Sequence, residues 1–237
     1  NRNTAKPDDT GLGSDYQSDY QSQSTHATEG VLVPVNMKAP MEKALTKLEK
    51  DIGMSVDDFV LEQLQYSSKK AMFNALMGLQ IDSVAASIYN ILNNKGVIIA
   101  DQTGIGKGRQ AAAIIRFAKL QGRTPVFVTV KPDLFTDMYE DLADIGTTDI
   151  SPLILNSAGS ITDRSTGKQL FKNNQSQHKK TLEAIAYSGE LPKGSDALFL
   201  TYSQVNKPNI QQSALMSLAD NSIFVLDESH NAGGNSN

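Results

Sequence analysis

A glycine-rich turn between an apolar run and a helical segment constrains the fold of this 237-residue chain more than any other feature. The turn reads Asp-Gln-Thr-Gly-Ile-Gly-Lys-Gly over residues 101–108 and follows the apolar run Val-Ile-Ile-Ala at 97–100. Such a run is typical of a strand that is buried on both faces of a parallel sheet. Glycines let backbone N–H groups turn inward around phosphate oxygens, and a helix that starts at the lysine adds its positive end. The pattern therefore predicts a strand, a phosphate-binding loop and a helix over about 107–121.

The residues of this loop are the first candidates for nucleotide binding. We expect the Lys107 ammonium to bridge the β- and γ-phosphates. A Ser or Thr usually follows the lysine and gives its hydroxyl to Mg²⁺, but here the residue is Gly108. Either a water or the Thr103 hydroxyl fills that coordination place, or the site binds nucleotide without efficient turnover. The ATP-binding candidates in the loop are Thr103, Gly104, Ile105, Gly106, Lys107, Gly108 and Arg109.

Two adjacent acids close a second apolar run, Ile-Phe-Val-Leu at 223–226, about 120 residues after the loop. At the carboxyl end of a strand, Asp227 can reach the hydration shell of Mg²⁺ and Glu228 can polarise the attacking water. Two carboxylates at this place are energetically costly unless they bind a cation or a water. The alternative is a solvated turn that follows a core strand. The second acid favours hydrolysis. We therefore take Glu228 and Lys107 as catalytic candidates and Asp227 as the metal-binding candidate.

Gln80 lies 27 residues before Lys107, at the start of a predicted helix. A glutamine amide donates and accepts at once, so it can distinguish the edge of adenine from that of guanine. The alternative is a surface glutamine near a helix start. We take Gln80 as a candidate for adenine contact.

Strand and helix patterns alternate along the second half of the chain. We predict strands at 126–130, 152–155, 197–201 and 223–227, and helices at about 133–144, 178–188 and 208–219. A polar stretch of about 40 residues separates the second of these strands from the third. This alternation predicts an α/β fold with a mainly parallel, doubly wound sheet. We assign residues 95–237 to this ATP-binding domain.

Two segments precede that domain. Residues 31–94 carry helical periodicity, with helices expected at about 69–77 and 80–93 among others. Residues 1–30 are polar, so they cannot bury enough apolar area to offset their ordering entropy, and we expect a disordered leader or linker. The leader repeats Ser-Asp-Tyr-Gln in tandem, and Tyr16 and Tyr20 are candidates for docking a partner.

Composition limits the partners and the compartment. A net charge of −4 argues against a general nucleic-acid coat, but it is compatible with a motor that holds one strand in a local groove. The absence of cysteine excludes disulfides and cysteine metal sites, and the three scattered histidines argue against a zinc site. No run approaches 18 apolar residues, so we expect no membrane span and a cytoplasmic location, or a nuclear one in a eukaryote.

Taken together, these segments resemble the first motor domain of superfamily two helicases, and more closely the strawberry notch family of helicase-like ATPases. The resemblance covers about residues 75–230. It is carried by 99–109, by 128–134 with 141–146, and by 226–230. In that family the phosphate loop also reads Gly-Lys-Gly-Arg, so Gly108 and Arg109 fit its pattern.

The resemblance implies a RecA-like P-loop NTPase fold, ATP and Mg²⁺ as cofactors, and DNA as the track, with RNA left open. By match to the helicase pattern, Lys131, Thr201 and Ser203 would contact nucleic-acid phosphates, unless they are ordinary loop residues. His230 would couple the nucleotide state to that face, unless it is a plain surface histidine. Bacterial and phage members occur in large proteins beside a DNA methyltransferase, some linked to protection against restriction, whereas eukaryotic members are nuclear.

We therefore expect a helicase-like, nucleic-acid-dependent ATPase, either a DNA translocase or a helicase. The alternative is a nucleotide-gated scaffold or regulator without enzymatic activity. A helicase motor needs a further strand beside the phosphate-loop strand and a second RecA-like domain that supplies arginines. We accordingly expect this chain to be part of a longer protein and to have weak activity or none alone.

Overall fold

The computed structural model describes residues 17–26, 31–99, 106–157, 159–205 and 209–229. A two-stranded antiparallel sheet and four helices make up its first part. Two of these helices, which begin after Ser55 and Ser68, are capped by a serine side chain that accepts a hydrogen bond from Asp58 N and Ala71 N, respectively. In chain order the elements are β1 (Gln17–Tyr20), β2 (Val31–Pro34), α1 (Val35–Ile52), α2 (Val56–Gln63), α3 (Lys69–Ala75) and α4 (Gly78–Leu92).

A four-stranded parallel sheet with helices on both faces forms the second part. In chain order its elements are α5 (Lys107–Leu120), β3 (Thr124–Thr129), α6 (Leu134–Asp144), β4 (Pro152–Ile154), β5 (Ser160–Thr162), β6 (Gln169–Lys172), α7 (His178–Ser188), β7 (Ala197–Thr201), α8 (Tyr202–Val205), α9 (Ile210–Ala219) and β8 (Ser222–Leu226). The strand order is β4-β7-β3-β8. The alternation of apolar runs and helical periods thus gives the doubly wound sheet that the sequence predicts.

Two hydrophobic cores cover the two faces of this sheet. Phe127 and Phe199 point to one face, where their rings lie 5.2 Å apart and join α5, α6 and α4 in one cluster. Val126, Val128 and Leu200, at alternate positions of β3 and β7, point to the other face and pack against α7 and α9. Because successive strand side chains alternate between faces, a continuous apolar run fills both cores.

The strand predicted at 97–100 is wrong for the part that the structure describes. Residues 97–99 adopt no regular structure, and the Ile98 side chain is 86% exposed. A strand buried on both faces needs a hydrogen-bonded neighbour, and within the described ranges β8 pairs only with β3. The segment 97–99 therefore lacks the pairing that would form a strand, while residues 100–105 lie outside the described residues.

The disordered leader predicted at 1–30 is wrong for residues 17–26. Tyr20 is 1% exposed, and its hydroxyl donates to Asp82 Oδ2 at 2.8 Å. The backbone N–H groups of Gln23 and Ser24 donate to the same carboxylate, and the Ser24 hydroxyl donates to Asp57 at 2.6 Å. Hydrogen bonds to two buried carboxylates thus stabilise a segment with few apolar side chains. Tyr20 is not available for partner docking, and residues 1–16 and 27–30 lie outside the described residues.

Two further features concern the polar stretch and the helices. The stretch between β4 and β7 contains the antiparallel hairpin β5–β6, which the sequence pattern does not predict. Of the helices described, none is alone long and apolar enough to cross a membrane. Helices α3 and α4 together meet the length and composition requirement, but they are bent by 101° with respect to each other.

Candidate functional site

Helix α5 begins at Lys107, as the loop pattern predicts. Gly106 precedes it with φ of 76°, a left-handed conformation that glycine adopts without steric strain. Lys107 is exposed, whereas Ile115 and Phe117 further along the helix are buried in the core and fix α5 on the sheet. Because the first N–H groups of a helix have no partner within it, this end of α5 is suited to an anion beside the lysine.

Gln80 connects α4 to the end of the loop. Its side chain is 1% exposed, with Nε2 donating to the Gly106 carbonyl at 3.2 Å and Oε1 accepting from Met77 N at 2.9 Å. A Cβ atom on residue 106 would lie 2.5 Å from Gln80 Nε2, so this approach requires glycine. Gln80 therefore fixes Gly106, and its contact with adenine stays a prediction.

Gly108 leaves room for a carboxylate from another helix. A Cβ atom on residue 108 would overlap Asp141 Oδ2 of α6 and would lie 2.8 Å from Asp141 Cγ. Burial raises the pKa of Asp141 to about 6, and the nearby carboxylate of Asp144 adds to this rise. The glycine that departs from the usual Ser or Thr is thus matched by an acid 33 positions later, a pairing that sequence reasoning missed.

Arg109 has structural partners in the helices α3 and α6. Its Nη2 donates to Asp144 Oδ2 of α6 at 2.7 Å, and its Nη1 donates to the Ala75 carbonyl of α3 at 3.3 Å. The guanidinium points toward α3 and α6 because the Ala75 carbonyl at the end of α3 and the Asp144 carboxylate of α6 accept charge-assisted hydrogen bonds from it. Arg109 thus joins three helices in the structure, and its contact with ATP stays a prediction.

Asp227 is held in place at the carboxyl end of β8. Its carboxylate Oδ2 accepts from Thr129 Oγ1 at 2.8 Å, its N–H donates to the Val128 carbonyl at 2.8 Å, and its own carbonyl accepts from the Tyr202 hydroxyl at 2.7 Å. Glu228 follows with an exposed side chain and φ of 51°. Thr129 and Tyr202 were not among the sequence candidates. Their only signal is their place at or just after the last residue of an apolar strand.

The residues at the end of β7 differ in their exposure. Thr201 is 2% exposed, and its hydroxyl accepts from Asn156 Nδ2 at 2.8 Å and bonds to Ser203 Oγ at 2.9 Å. A phosphate contact by Thr201 is therefore corrected, because its hydroxyl faces the protein and pairs with Asn156. Lys131 and Ser203 are exposed, so their predicted contacts are sterically open.

A protein-family comparison identifies the class of this site. The model of the P-loop containing NTP hydrolase pore-1 family matches residues 36–236. The chain belongs to this family. It is also 38% identical over 88 residues to Protein strawberry notch of Drosophila melanogaster. That match covers 34% of this chain and 5% of the relative, so the chain spans a small part of that protein's length.

The P-loop NTPase family implies a bound nucleotide and usually Mg²⁺, and the residues present fit both. A Cβ atom at Gly106 or at Gly108 would displace the side chain that approaches it, Gln80 and Asp141 respectively. Among residues with described positions, no group of three or more His, Asp or Glu forms a complete metal site. Mg²⁺ is usually held by one or two carboxylates together with phosphates and waters, and Asp227 at the end of β8 is one such carboxylate. The candidates Thr103, Gly104, Ile105 and His230 lie outside the described residues.

Proposed function

We propose that this domain hydrolyses ATP with Mg²⁺ and is one half of a helicase-like, nucleic-acid-dependent motor. The observation that carries the proposal is the position of α5. It begins at Lys107 directly after a left-handed glycine and packs on β3 and β8, and β8 leads into Asp227 and Glu228. In open α/β sheets, ligands bind at the carboxyl ends of the strands, where these groups are expected to meet.

Each of these residues has a role that its chemistry supports. The Lys107 ammonium neutralises the β- and γ-phosphates, and Asp227, oriented by Thr129, would hold Mg²⁺, which would supply further positive charge to the phosphates. The Glu228 carboxylate accepts the proton of the attacking water as its oxygen bonds to the γ-phosphorus. The bond between that phosphorus and the β–γ bridging oxygen breaks, and ADP leaves with the bridging oxygen.

The nucleic-acid track is proposed along the carboxyl ends of β3, β4 and β7. Lys131 and Ser203 are exposed there, and such side chains position a strand through its phosphates without reading its sequence. A groove of about 720 Å³ beside the β5–β6 hairpin has no acid in its lining. In a chain with net charge −4, a groove lined by Lys172 and neutral residues repels a polyanion less than an acid-lined surface does. Its lining includes Ser157, Ser160, Lys172, Asn174, Gln175 and Ser176.

The wider setting is proposed from the resemblance to the strawberry notch family. DNA is the proposed partner, and RNA is the other outcome of the test below. A second RecA-like domain in the same longer chain would complete the motor, and a fused methyltransferase domain would point to protection against restriction. A bacterial or phage protein would act in the cytoplasm, and a eukaryotic one in the nucleus.

ATP hydrolysis by the 237-residue chain and by a longer protein with both motor halves tests the proposal, with and without DNA or RNA. Glu228→Gln should keep ATP binding and lower the hydrolysis rate by about 10²–10⁴-fold, because the water loses its base. Lys107→Ala should abolish tight ATP binding. Glu190→Gln, an exposed acid after α7, is the control. If neither site variant changes turnover, the residue roles are wrong. If the longer protein with both motor halves binds ATP without turnover, the protein is a nucleotide-gated scaffold.

A further inference from the structure

Asp141 is positioned where the phosphate-loop helix lacks its usual hydroxyl. In most phosphate loops the residue after the lysine gives a Ser or Thr hydroxyl to Mg²⁺. Here that residue is Gly108, and the space its side chain would take contains the Asp141 carboxylate. A side chain at 108 and Asp141 in its present position exclude each other. The glycine and the acid are therefore geometrically complementary.

The surroundings of Asp141 differ from those of the other acids on α6. Asp144 pairs with Arg109, and both Asp137 and Glu140 pair with Arg164. Asp141 has no hydrogen bond or ion pair with any residue that the structure describes, and its side chain is partly buried. Burial and the neighbouring acids, Asp144 foremost, raise the pKa of Asp141, and Arg109 offsets only part of this rise, so a further positive charge bound near the start of α5 would stabilise this carboxylate.

We propose that the Asp141 carboxylate replaces the missing hydroxyl as a protein group that holds the nucleotide-bound Mg²⁺, and that Gly108 is required because it makes room for Asp141. This rests on the proposed nucleotide site. Carboxylate oxygens are preferred Mg²⁺ ligands, directly or through a bound water. The ligand would come from α6, so the metal would join α6 to the start of α5.

Binding of ATP with and without metal tests this pairing in the 237-residue chain. A fluorescent ATP analogue is titrated in EDTA and in Mg²⁺, and Mn²⁺ binding in the presence of ATP is followed by electron paramagnetic resonance. For Asp141→Asn we expect metal-free ATP binding to stay at the wild-type level. The gain in ATP affinity from Mg²⁺, and the affinity for Mn²⁺, should fall by about tenfold or more.

Two variants at position 108 make the test specific. Gly108→Ala alone should lower metal-dependent binding, because the new Cβ atom displaces Asp141 and brings no hydroxyl to replace it. Gly108→Ser with Asp141→Ala should bind metal better than Asp141→Ala alone, because a hydroxyl then fills the vacated place. Asp137→Asn, one turn earlier on α6, is the matched control and should behave as wild type. Far-ultraviolet circular dichroism of every variant reports whether it is folded.

The outcomes separate the inference from the function on which it rests. If Asp141→Asn binds ATP and keeps the full effect of Mg²⁺ and Mn²⁺, the inference is overturned while the nucleotide site stands. If the double variant shows no gain over Asp141→Ala, the exchange of a carboxylate for a hydroxyl is wrong. If the wild type binds no nucleotide under either condition, the proposed function fails, and the inference fails with it.

Discussion

A buried hydroxyl orients one acid of this P-loop NTPase. Thr129 has no exposed surface, and its Oγ1 donates to Asp227 Oδ2 at 2.8 Å from the end of the neighbouring strand β3. One carboxylate oxygen of Asp227 is thereby fixed. Orientation of a reactive acid by a neighbour is a general device of metal sites.

Thr129→Val tests this orientation, because valine keeps the shape of threonine and removes only the donor. We expect ATP hydrolysis to fall by about tenfold, since Asp227 loses its fixed direction. The free energy of unfolding should change by only about 1 kcal/mol. Steady-state hydrolysis rates and urea unfolding curves measure the two effects. Thr124→Val, at the opposite end of β3, is the control, and equal rates for the two variants would show that the Thr129 hydrogen bond is irrelevant to catalysis.

Elements that are stabilised by local patterns were predictable from the sequence. The helix at α5 and the strands β3, β7 and β8 follow from apolar periodicity and from the glycine before Lys107. The order in segment 17–26 was not predictable, because its hydrogen bonds go to Asp82 and Asp57. These acids lie tens of residues further along the chain, and no sequence pattern near the segment points to them. The residues 97–99 show the opposite case. Their apolar run predicts a strand, but a strand also needs an adjacent partner, which periodicity does not reveal.

The candidate site divides in the same way. Lys107, Asp227 and Glu228 could be named from spacing alone, because strand and helix ends place them. The contacts of Gly108 with Asp141 and of Gln80 with Gly106 depend on how α5 packs against α6 and α4. Packing of this kind is set by whole-helix contacts, so one sequence gives no warning of it.

The outer edge of the described sheet is an apolar strand. β8 pairs with β3 on one side, and Phe224 and Leu226 are 41% and 47% exposed. Edge strands with exposed apolar side chains promote pairing between molecules. We expect the 237-residue chain to self-associate at raised concentration, and Phe224→Lys to reduce this. Sedimentation velocity measures the effect, with Met216→Lys on α9, an apolar position that is more exposed than Phe224, as control. Equal association of both variants would place the contact elsewhere.

At the scale of the whole molecule, burial of Asp82 makes the free energy of unfolding depend on pH. This carboxyl joins the 17–26 segment to α4, and burial raises its pKa from 3.8 to about 6, with a smaller contribution from Asp57. The native state therefore binds a proton that the unfolded chain releases between these values. The stability from this group is complete below about pH 4 and is lost as the pH rises through about 6.

Asp82→Asn should remove this pH dependence, since the amide does not titrate. The free energy of unfolding of the wild type relative to the variant should fall by about 2–3 kcal/mol from pH 4 to pH 7. Exposed acids with lowered pKa, such as Asp163, give the opposite slope in both proteins and cancel in the difference. Urea unfolding of both proteins at matched ionic strength, from pH 4 to pH 7, measures the difference between their free energies of unfolding. A constant difference would mean that Asp82 is ionised in the native state throughout, so the hydrogen bonds from Tyr20, Gln23 and Ser24 would outweigh the cost of its burial.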